Sequence, residues 1–368
     1  AMESRLLVFS DRASVPLFTG ADVQASVLSH VLELAPDKIL LVCDSMVDEL
    51  HGEYFRALTP RSCAPGETPC SSDGVRMRRL VPVERHILPQ GDECKSQEHL
   101  GALMDWAFGV DATAGSLVVA FGGGAVLNVA GLFASMLYGG VSLVYVPTTF
   151  LAMHAVVTSL KTSISCDARI DSIGSFYAPV KVLADLAFCR TLSRIEIFSG
   201  LGELTRNAVL LSGELASALK HALSREQITT QQGGSGEEFA ADDETLANLM
   251  SLGIEAKMSV VHEDAYEKED GMMFEYGNTV ANAIRKAYGY RVVPNGLAVV
   301  YGMLCNSYVA ERLGIMAPED RTTHDELCKC LATRFTLPDP KPSIDHILNF
   351  AKQDSKRGIA DENDDEMS

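Results

Sequence analysis

A run of three glycines at positions 122–124 constrains the fold of this chain more than any other feature of its sequence. It follows an apolar stretch typical of a buried strand, Leu117–Phe121, and precedes an apolar stretch of helical length at 125–137. Glycines between a strand and a helix let the backbone approach a ligand, and the positive end of the helix attracts an anion such as a pyrophosphate. Because the G-x-G-x-x-G fingerprint is absent, a plain tight turn remains an alternative.

Strand-like and helix-like segments alternate in the first half of the chain. This alternation predicts a parallel sheet covered by helices, a Rossmann-like α/β domain over residues 1–185. A stretch rich in Pro, Cys, Ser and Gly at 60–76 predicts an exposed loop. The predicted strands are 5–10, 38–43, 117–121 and 142–146, and the predicted helices are 21–35, 96–108 and 125–137.

Helical patterns dominate after residue 186, which predicts an all-helical second domain over 186–358. The predicted helices are 197–224, 242–263, 276–287, 295–313, 323–333 and 343–353. A Gly-, Gln- and Ser-rich stretch at 228–243 predicts a flexible connection, and the acidic segment 359–368 predicts a disordered tail. The expected architecture is therefore α/β followed by all-α, with the functional site between the two domains.

The composition excludes some function classes. A net charge of −18 argues against nucleic-acid binding, which needs clustered Lys and Arg. No uninterrupted apolar stretch is long enough to predict a membrane span, and the first residues do not predict a signal peptide. The nine cysteines lie mostly within apolar segments, which predicts a reduced, cytoplasmic setting.

Several motifs in the same order resemble those of dehydroquinate synthases and their relatives. They are the segment from Gly122 to Leu137, the segment Val144–Thr149, Ser159-Leu160-Lys161 and Phe274-Glu275-Tyr276-Gly277. From about residue 38 to 357, the chain is similar to the sugar phosphate cyclase superfamily, and most similar to its 2-deoxy-scyllo-inosose synthase branch. The resemblance implies a dehydroquinate synthase-like fold with NAD bound to the first domain.

The resemblance also implies which residues contact NAD. Asp44, at the end of a predicted strand, stands where the family holds the adenosine ribose, although an ordinary loop aspartate remains an alternative from the residues alone. The loop Gly91–Lys95 resembles the family's G-E-x-x-K loop, with Asp92 in place of the Glu. The remaining NAD positions implied by the resemblance are Lys95, Gly123, Gly124, Asn128, Thr148, Thr149, Phe188 and Thr191.

The zinc site of the family is altered in this chain. In the family, one Glu and two His hold zinc, which polarises the substrate hydroxyl. Glu203 matches the Glu, but Asn278 and Asn295 stand at the His ligand positions, and Asn282 stands where a third His contacts phosphate. An amide oxygen is a weak zinc ligand beside imidazole, so no zinc is expected.

The substrate pocket implied by the resemblance has changed as well. Lys161, Lys257 and Arg206 (for the family's Lys) remain, whereas Gly139 stands at the position of a phosphate-binding Arg and Ala155 at that of a carboxylate. A phosphorylated sugar is therefore a doubtful substrate.

His154 replaces an apolar residue of the family. It is a candidate acid or base, because imidazole titrates near neutral pH, and a buried structural histidine is the alternative.

These observations leave three hypotheses open. The preferred one is a zinc-independent enzyme of secondary metabolism that retains NAD and cyclises or rearranges a less charged small-molecule substrate. The second is an NAD-dependent sugar phosphate cyclase with an atypical metal site. The third is a non-catalytic NAD-binding protein or partner subunit. In each case the resemblance implies a homodimer.

Overall fold

The computed structural model describes residues 2–56, 81–166, 169–224, 228–231, 238–289 and 292–354. The predicted loop at 60–76 and the predicted acidic tail at 359–368 lie outside these residues. The strands are β1 (Glu3–Phe9), β2 (Ala13–Gly20), β3 (Ile39–Asp44), β4 (Val83–Leu88), β5 (Leu117–Gly122), β6 (Ser142–Pro147), β7 (Lys161–Cys166), β8 (Arg169–Phe176), β9 (Lys181–Asp185), β10 (Ile228–Gln231) and β11 (Glu238–Ala241).

The helices of the first half flank the sheet, and those of the second half pack on one another. They are α1 (Gln24–Leu32), α2 (Ser45–His51), α3 (Gln97–Gly109), α4 (Gly124–Met136), α5 (Arg194–Leu211), α6 (Gly213–Ser224), α7 (Asp243–Val261), α8 (Asn278–Ala287), α9 (Asn295–Arg312), α10 (Pro318–Ala332) and α11 (Ile344–Ala351).

The first half contains a seven-stranded sheet in the order β1-β2-β9-β6-β5-β3-β4. All neighbouring strands are parallel except the β1–β2 pair, which is antiparallel. Strands β3 and β5 are buried along their whole length, as expected for central strands covered by helices on both faces. The predicted α/β architecture followed by a helical half is confirmed.

The strand order reverses direction between β3 and β5. After β3 the chain adds β4 on one side, and it then crosses back to place β5 and β6 on the other side. In an open parallel sheet, the crevice at such a reversal, beyond the carboxyl ends of the strands, is the usual ligand site. Here it lies between Asp44, the last residue of β3, and Gly122, the last residue of β5.

The second half is built around α5, which begins with a capping box between Ser193 and Glu196. Helix α5 is buried almost throughout and packs against α6, α7, α9 and α10, while α8 packs between α9 and α11. This packing brings one face of α5 against the first turns of α8 and α9, where the Asn-containing motifs lie.

Several details of the sequence prediction were wrong. Strands β2, β4, β7, β8 and β9 were not predicted, and α1 begins at Gln24 rather than at 21. The predicted helix 197–224 is two helices, α5 and α6, separated at Ser212, whose backbone is extended. The predicted flexible connection at 228–243 contains β10 and β11, which pair with each other in antiparallel register.

Candidate functional site

The glycine run places the N-terminus of α4 at the reversal of the sheet. Helix α4 begins at Gly124, and no side chain of the described residues caps it. A Cβ on Gly123 would lie 3.0 Å from Cγ2 of Thr149, and a Cβ on Gly124 would lie 3.0 Å from Cγ2 of Val156. The glycines therefore leave an uncapped helix N-terminus in the crevice, which is an arrangement that fits a pyrophosphate.

Three of the other predicted cofactor residues support this turn. Asn128 donates from Nδ2 to the Gly124 carbonyl oxygen at 2.9 Å, and the Thr148 amide donates to the Gly122 carbonyl oxygen at 2.9 Å. Thr149 accepts at Oγ1 from the Ala152 amide at 3.2 Å. The glycine turn is thus held by Asn128 of α4 and by the backbone that follows β6, while Thr149 fixes the next turn of the chain.

Asp44 lies across the crevice from the glycine run. Its Oδ1 accepts from the Val47 amide at 2.9 Å and so caps α2. Burial raises the pKa of Asp44, and the amides of Val47 and Met46 oppose that shift. The aspartate is therefore an N-cap as well as a residue of the predicted ribose site.

Two further cofactor residues, Phe188 and Thr191, lie in the short helical segment that follows β9. Phe188 is buried and packs against Phe121, with ring centroids 5.4 Å apart. Thr191 is exposed, and its Oγ1 lies 2.9 Å from Nε2 of His51.

Lys95 and Asp92 each form an ion pair with a residue outside their own loop. Lys95, which is buried, pairs with Asp171 on β8, and Asp92 pairs with Arg285 on α8. Although burial alone would raise the pKa of Asp171, Lys95 and Ser163 lower it overall. The Gly91–Lys95 loop is thereby joined both to the β7–β8 hairpin and to the helical half.

The residues at the family's metal positions meet around the guanidinium group of Arg206. Arg206 pairs with Oε2 of Glu203, one turn earlier on α5, and donates from Nη1 to Oδ1 of Asn278 at 3.1 Å. Glu203 and Arg206 are 5% and 6% exposed, so this ion pair is shielded from water. Nδ2 of Asn278 in turn donates to Oε2 of Glu275 at 2.9 Å.

Asn295 completes the cluster from α9. Its Nδ2 donates to Oε1 of Glu203 at 2.8 Å, and its Oδ1 accepts from Nη1 of Arg285 at 3.2 Å. Arginine only donates and carboxylate only accepts, so both amide orientations follow from their neighbours. Each amide oxygen faces an arginine, and each amide nitrogen faces a carboxylate.

This arrangement does not fit a zinc ion. A metal needs lone pairs that converge on one point, but the two amide oxygens and both Glu203 oxygens already accept hydrogen bonds. A guanidinium charge next to Glu203 would also repel a divalent cation. Among the described residues, no group of three or more His, Cys, Asp or Glu side chains is arranged to hold a metal ion.

The other predicted catalytic residues occupy different environments. Lys257 is buried on α7, donates to the Ala155 carbonyl oxygen at 3.0 Å and lies 3.9 Å from Oε1 of Glu267. Lys161 is exposed at the start of β7, and Asn282 is half-buried on α8, one turn after Asn278. Lys161 is thus the most accessible of the predicted basic groups.

His154 is fully buried in a π-helical turn at Ala152–Val156. Burial, reinforced by the charges of Lys257 and Arg206, lowers its pKa to about 3, and the Gly200 backbone opposes this shift. Neither ring nitrogen has a hydrogen bond of normal geometry within the described part of the chain. A neutral imidazole without access to solvent favours the structural alternative over an acid or base.

Three charged residues of this region were given no role in the sequence analysis: Arg285 and Asp171, which it did not name, and Glu275, which it named only as part of a motif. Each of the three forms an ion pair or a hydrogen bond with a residue that was predicted to belong to the site. Arg285 follows the Asn278–Asn282 pair on the same helix, so its position on α8 was a signal that could have placed it near the site.

Comparisons with known proteins identify the family. The 3-dehydroquinate synthase N-terminal model matches residues 85–199, and the 3-dehydroquinate synthase C-terminal model matches residues 200–357. A 2-deoxy-scyllo-inosose synthase from Micromonospora echinospora is 31% identical over 344 residues, 93% of this chain and 78% of that protein. The chain belongs to the sugar phosphate cyclase superfamily. A 2-deoxy-scyllo-inosose synthase from Streptomyces fradiae is 32% identical over 98% of this chain and 76% of that protein.

Solved structures of the family share the fold. A 2-deoxy-scyllo-inosose synthase in complex with carbaglucose-6-phosphate, NAD+ and Co2+ is 27% identical, with a TM-score of 0.77 over 97% of this chain and 88% of that one. A 2-epi-5-epi-valiolone synthase from Streptomyces hygroscopicus with NAD+ and Zn2+ bound is 18% identical, with a TM-score of 0.73 over 94% of this chain and 87% of that one. The family membership implied by the motifs is confirmed.

None of the helices in the described part of the chain combines the length and the apolar composition that a membrane-spanning helix needs.

Proposed function

We propose that this member of the family is an enzyme that binds NAD and works without a catalytic metal ion. The observation that carries the proposal is the position of the Arg206 guanidinium group, which bonds to both Glu203 and Asn278. In this proposal an internal cation, fixed on α5, balances the charge of Glu203. The uncapped N-terminus of α4 at the reversal of the sheet supports NAD binding.

The charges of the site support a substrate that is less charged than a sugar phosphate. The buried cations of the region each face a carboxylate: Arg206 faces Glu203, Arg285 faces Asp92, Lys257 faces Glu267 and Lys95 faces Asp171. A phosphate group needs cations that are free to donate charge-assisted hydrogen bonds. Of the predicted substrate-binding cations, only the exposed Lys161 forms no ion pair within the described residues. A cyclisation or rearrangement of a neutral or singly charged substrate is therefore favoured.

The chain's own residues would orient such a substrate. NAD, when bound, supplies a hydride acceptor. Glu203 is held by Arg206 and Asn295 in one orientation, and Asn282 and Lys161 are the more accessible polar groups of the predicted set. Preorganised polar groups of this kind stabilise charge that develops during a reaction. As in the family, we expect a homodimer, which light scattering of the purified protein would test.

The test is to measure bound metal and bound NAD in protein that has been purified without chelators from a metal-replete culture. We expect NAD to be released on denaturation and divalent metal to be well below one equivalent. Incubation with glucose 6-phosphate or sedoheptulose 7-phosphate, with and without added Co2+ or Zn2+, should release no phosphate. One equivalent of metal that is lost in the E203Q variant, together with metal-dependent turnover, would overturn the proposal.

The second candidate function is that of an NAD-dependent sugar phosphate cyclase with an atypical metal site. It is supported by the identity of about one third that extends over almost the whole chain. The same incubation separates the two candidates, because a 2-deoxy-scyllo-inosose synthase assayed in parallel gives the positive signal.

To test for catalysis itself, E203Q and K161A would be introduced into the gene in the organism that carries it, and the small molecules that this organism makes would be compared with those of the wild type. Loss of a product with normal protein levels supports an enzyme, whereas an unchanged product profile supports the non-catalytic alternative.

A further inference from the structure

An unbroken chain of seven side chains crosses from the sheet half to the helical half. It runs through Asp92, Arg285, Asn295, Glu203, Arg206, Asn278 and Glu275. In this chain the arginines donate on both sides, Glu203 accepts on both sides and each asparagine accepts from an arginine and donates to a carboxylate, so each member constrains the next. One end lies in the Gly91–Lys95 loop of the predicted NAD site, and the middle lies at the positions that hold metal in the family.

Arg285 is the residue at which this chain of side chains passes from the sheet half to the helical half. From α8, its Nη2 pairs with Oδ2 of Asp92 and its Nη1 donates to Oδ1 of Asn295 at 3.2 Å. Arg285 is 7% exposed, while the side chain of Asp92 is 46% exposed. The carboxylate is therefore partly accessible to solvent, whereas the guanidinium group is buried and also contacts Asn295.

The planar guanidinium group makes this link directional. Arginine presents its donors in a fixed fork, so the pair with Asp92 contributes to the direction in which Nη1 points. That donor holds the oxygen of Asn295 and leaves the amide nitrogen facing Glu203. If Arg285 were absent, the Asn295 oxygen would lose its donor, and the bond from its amide nitrogen to Glu203 would be the remaining described contact that holds the side chain.

We propose that Arg285 is a positioning residue that couples occupancy of the cofactor edge at Asp92 to the orientation of Asn295 and Glu203. A ligand that orders the Asp92 side chain would stabilise the orientation in which Glu203 accepts from Asn295. By thermodynamic linkage, a substitution at Glu203 would in turn change the affinity for a ligand at Asp92. The part of this inference that concerns NAD rests on the proposed function.

The first test is an NAD titration by calorimetry of the full-length protein. We expect R285Q to weaken NAD binding roughly tenfold, as the loss of one charge-assisted hydrogen bond implies. N295A, which removes the next member of the chain, should weaken it in the same direction. R285K should restore NAD binding only in part, because lysine can pair with Asp92 but lacks the fork. R321Q is the matched control, since it removes an arginine that pairs with Glu311 on α9, and it should leave NAD binding unchanged.

Unchanged NAD affinity in N295A and R285Q would overturn the coupling. If the wild-type chain binds no NAD, the cofactor part of the proposed function fails. The coupling between Asp92 and Glu203 is then tested by a second measurement that needs no NAD. Thermal unfolding of D92N, E203Q and the double variant would then be compared. These two residues do not touch each other, so the coupling predicts melting shifts that fail to add, and additive shifts would refute it.

Discussion

Gly202 of α5 lies so close to Gly296 of α9 that a Cβ on Gly202 would be 2.2 Å from the Gly296 carbonyl oxygen. A Cβ on Gly296 would in turn lie 1.7 Å from the Ser199 carbonyl oxygen. The residues next to this contact are Glu203 and Asn295, which share a hydrogen bond of 2.8 Å. The close crossing of the two helices is therefore what brings the carboxylate and the amide together.

Replacing Gly296 with alanine should push α5 and α9 apart. Because backbone atoms cannot move aside as a side chain can, we expect a loss of about 1–3 kcal/mol in the free energy of unfolding, as for other overpacked cores. Urea unfolding followed by circular dichroism measures it. G213A is the control, since no described atom beyond its chain neighbours and its own helix backbone lies within 4 Å of its Cβ position. Equal stability of the G296A variant and the wild type would contradict the close crossing.

Much of this architecture could be predicted from the sequence, because the spacing of apolar residues and the position of turn residues indicate where strands and helices lie. The central strands β3, β5 and β6 are apolar along their length and were identified. Strand β4 was missed because its buried and exposed positions do not follow a clear pattern, and its stability comes from pairing with β3.

The site could be predicted only in part, for a related reason. The motifs identified Glu203 and the two asparagines, but the ionic partners of the predicted residues depend on tertiary contacts. Asp92 and Arg285 are 193 positions apart in the chain, and no local pattern in a single sequence joins them. The bond from Arg206 to Asn278 likewise depends on the approach of α8 to α5, whereas its pair with Glu203, three residues earlier on α5, is one that helical spacing could have predicted.

Asp44 allows the capping and cofactor roles of one side chain to be separated. Asparagine is as good an N-cap as aspartate but lacks the negative charge that suits a ribose hydroxyl. We expect D44N to keep the wild-type stability and bind NAD more weakly, whereas D44A should also lose about 1 kcal/mol of stability. Calorimetry and urea unfolding measure the two effects.

S343A provides the control for D44A, because the Ser343 side chain also caps a helix, at the start of α11 in the helical half. It should lose stability without a change in NAD affinity. Equal NAD affinity of D44N and the wild type would remove Asp44 from the cofactor site.

Arg206 should determine whether a metal can return to this site. In N278H/N295H, imidazole ligands are restored, but the arginine still pairs with Glu203, so we expect well under one equivalent of zinc. Adding R206K should allow zinc binding, because a lysine ammonium group lacks the fork that holds Glu203 and residue 278 together. Elemental analysis after dialysis against zinc measures the difference, with R206K alone as the control. Full zinc occupancy in the double variant would show that the guanidinium group is no barrier.

Removing the charge of Arg206 should be costly even without a metal. R206M leaves Glu203 buried without its cation, and breaking a buried pair in this way costs about 3–5 kcal/mol. The double variant R206M/E203L, in which neither charge remains, should recover much of this loss. Urea unfolding of the two variants measures the recovery, and an R206M variant as stable as the wild type would contradict the buried ion pair.

His154 should make folding sensitive to acid. Its pKa in the folded chain is about 3, below its ordinary value of 6.5, so the unfolded chain takes up a proton first as the pH falls. Above pH 6.5 the residue has no effect on the free energy of unfolding, because it is neutral in both states. Below that pH the stability decreases by about 1.4 kcal/mol per pH unit, which amounts to about 2 kcal/mol at pH 5.

The H154L variant isolates this contribution, because leucine fills a similar volume and does not titrate. Between pH 7 and pH 5, its free energy of unfolding should decrease by about 2 kcal/mol less than that of the wild type. H221Q is the control, since His221 is exposed on α6, and its pH dependence should match the wild type. The same decrease in H154L as in the wild type would mean that His154 is solvated in solution, and the acid or base role would then regain support.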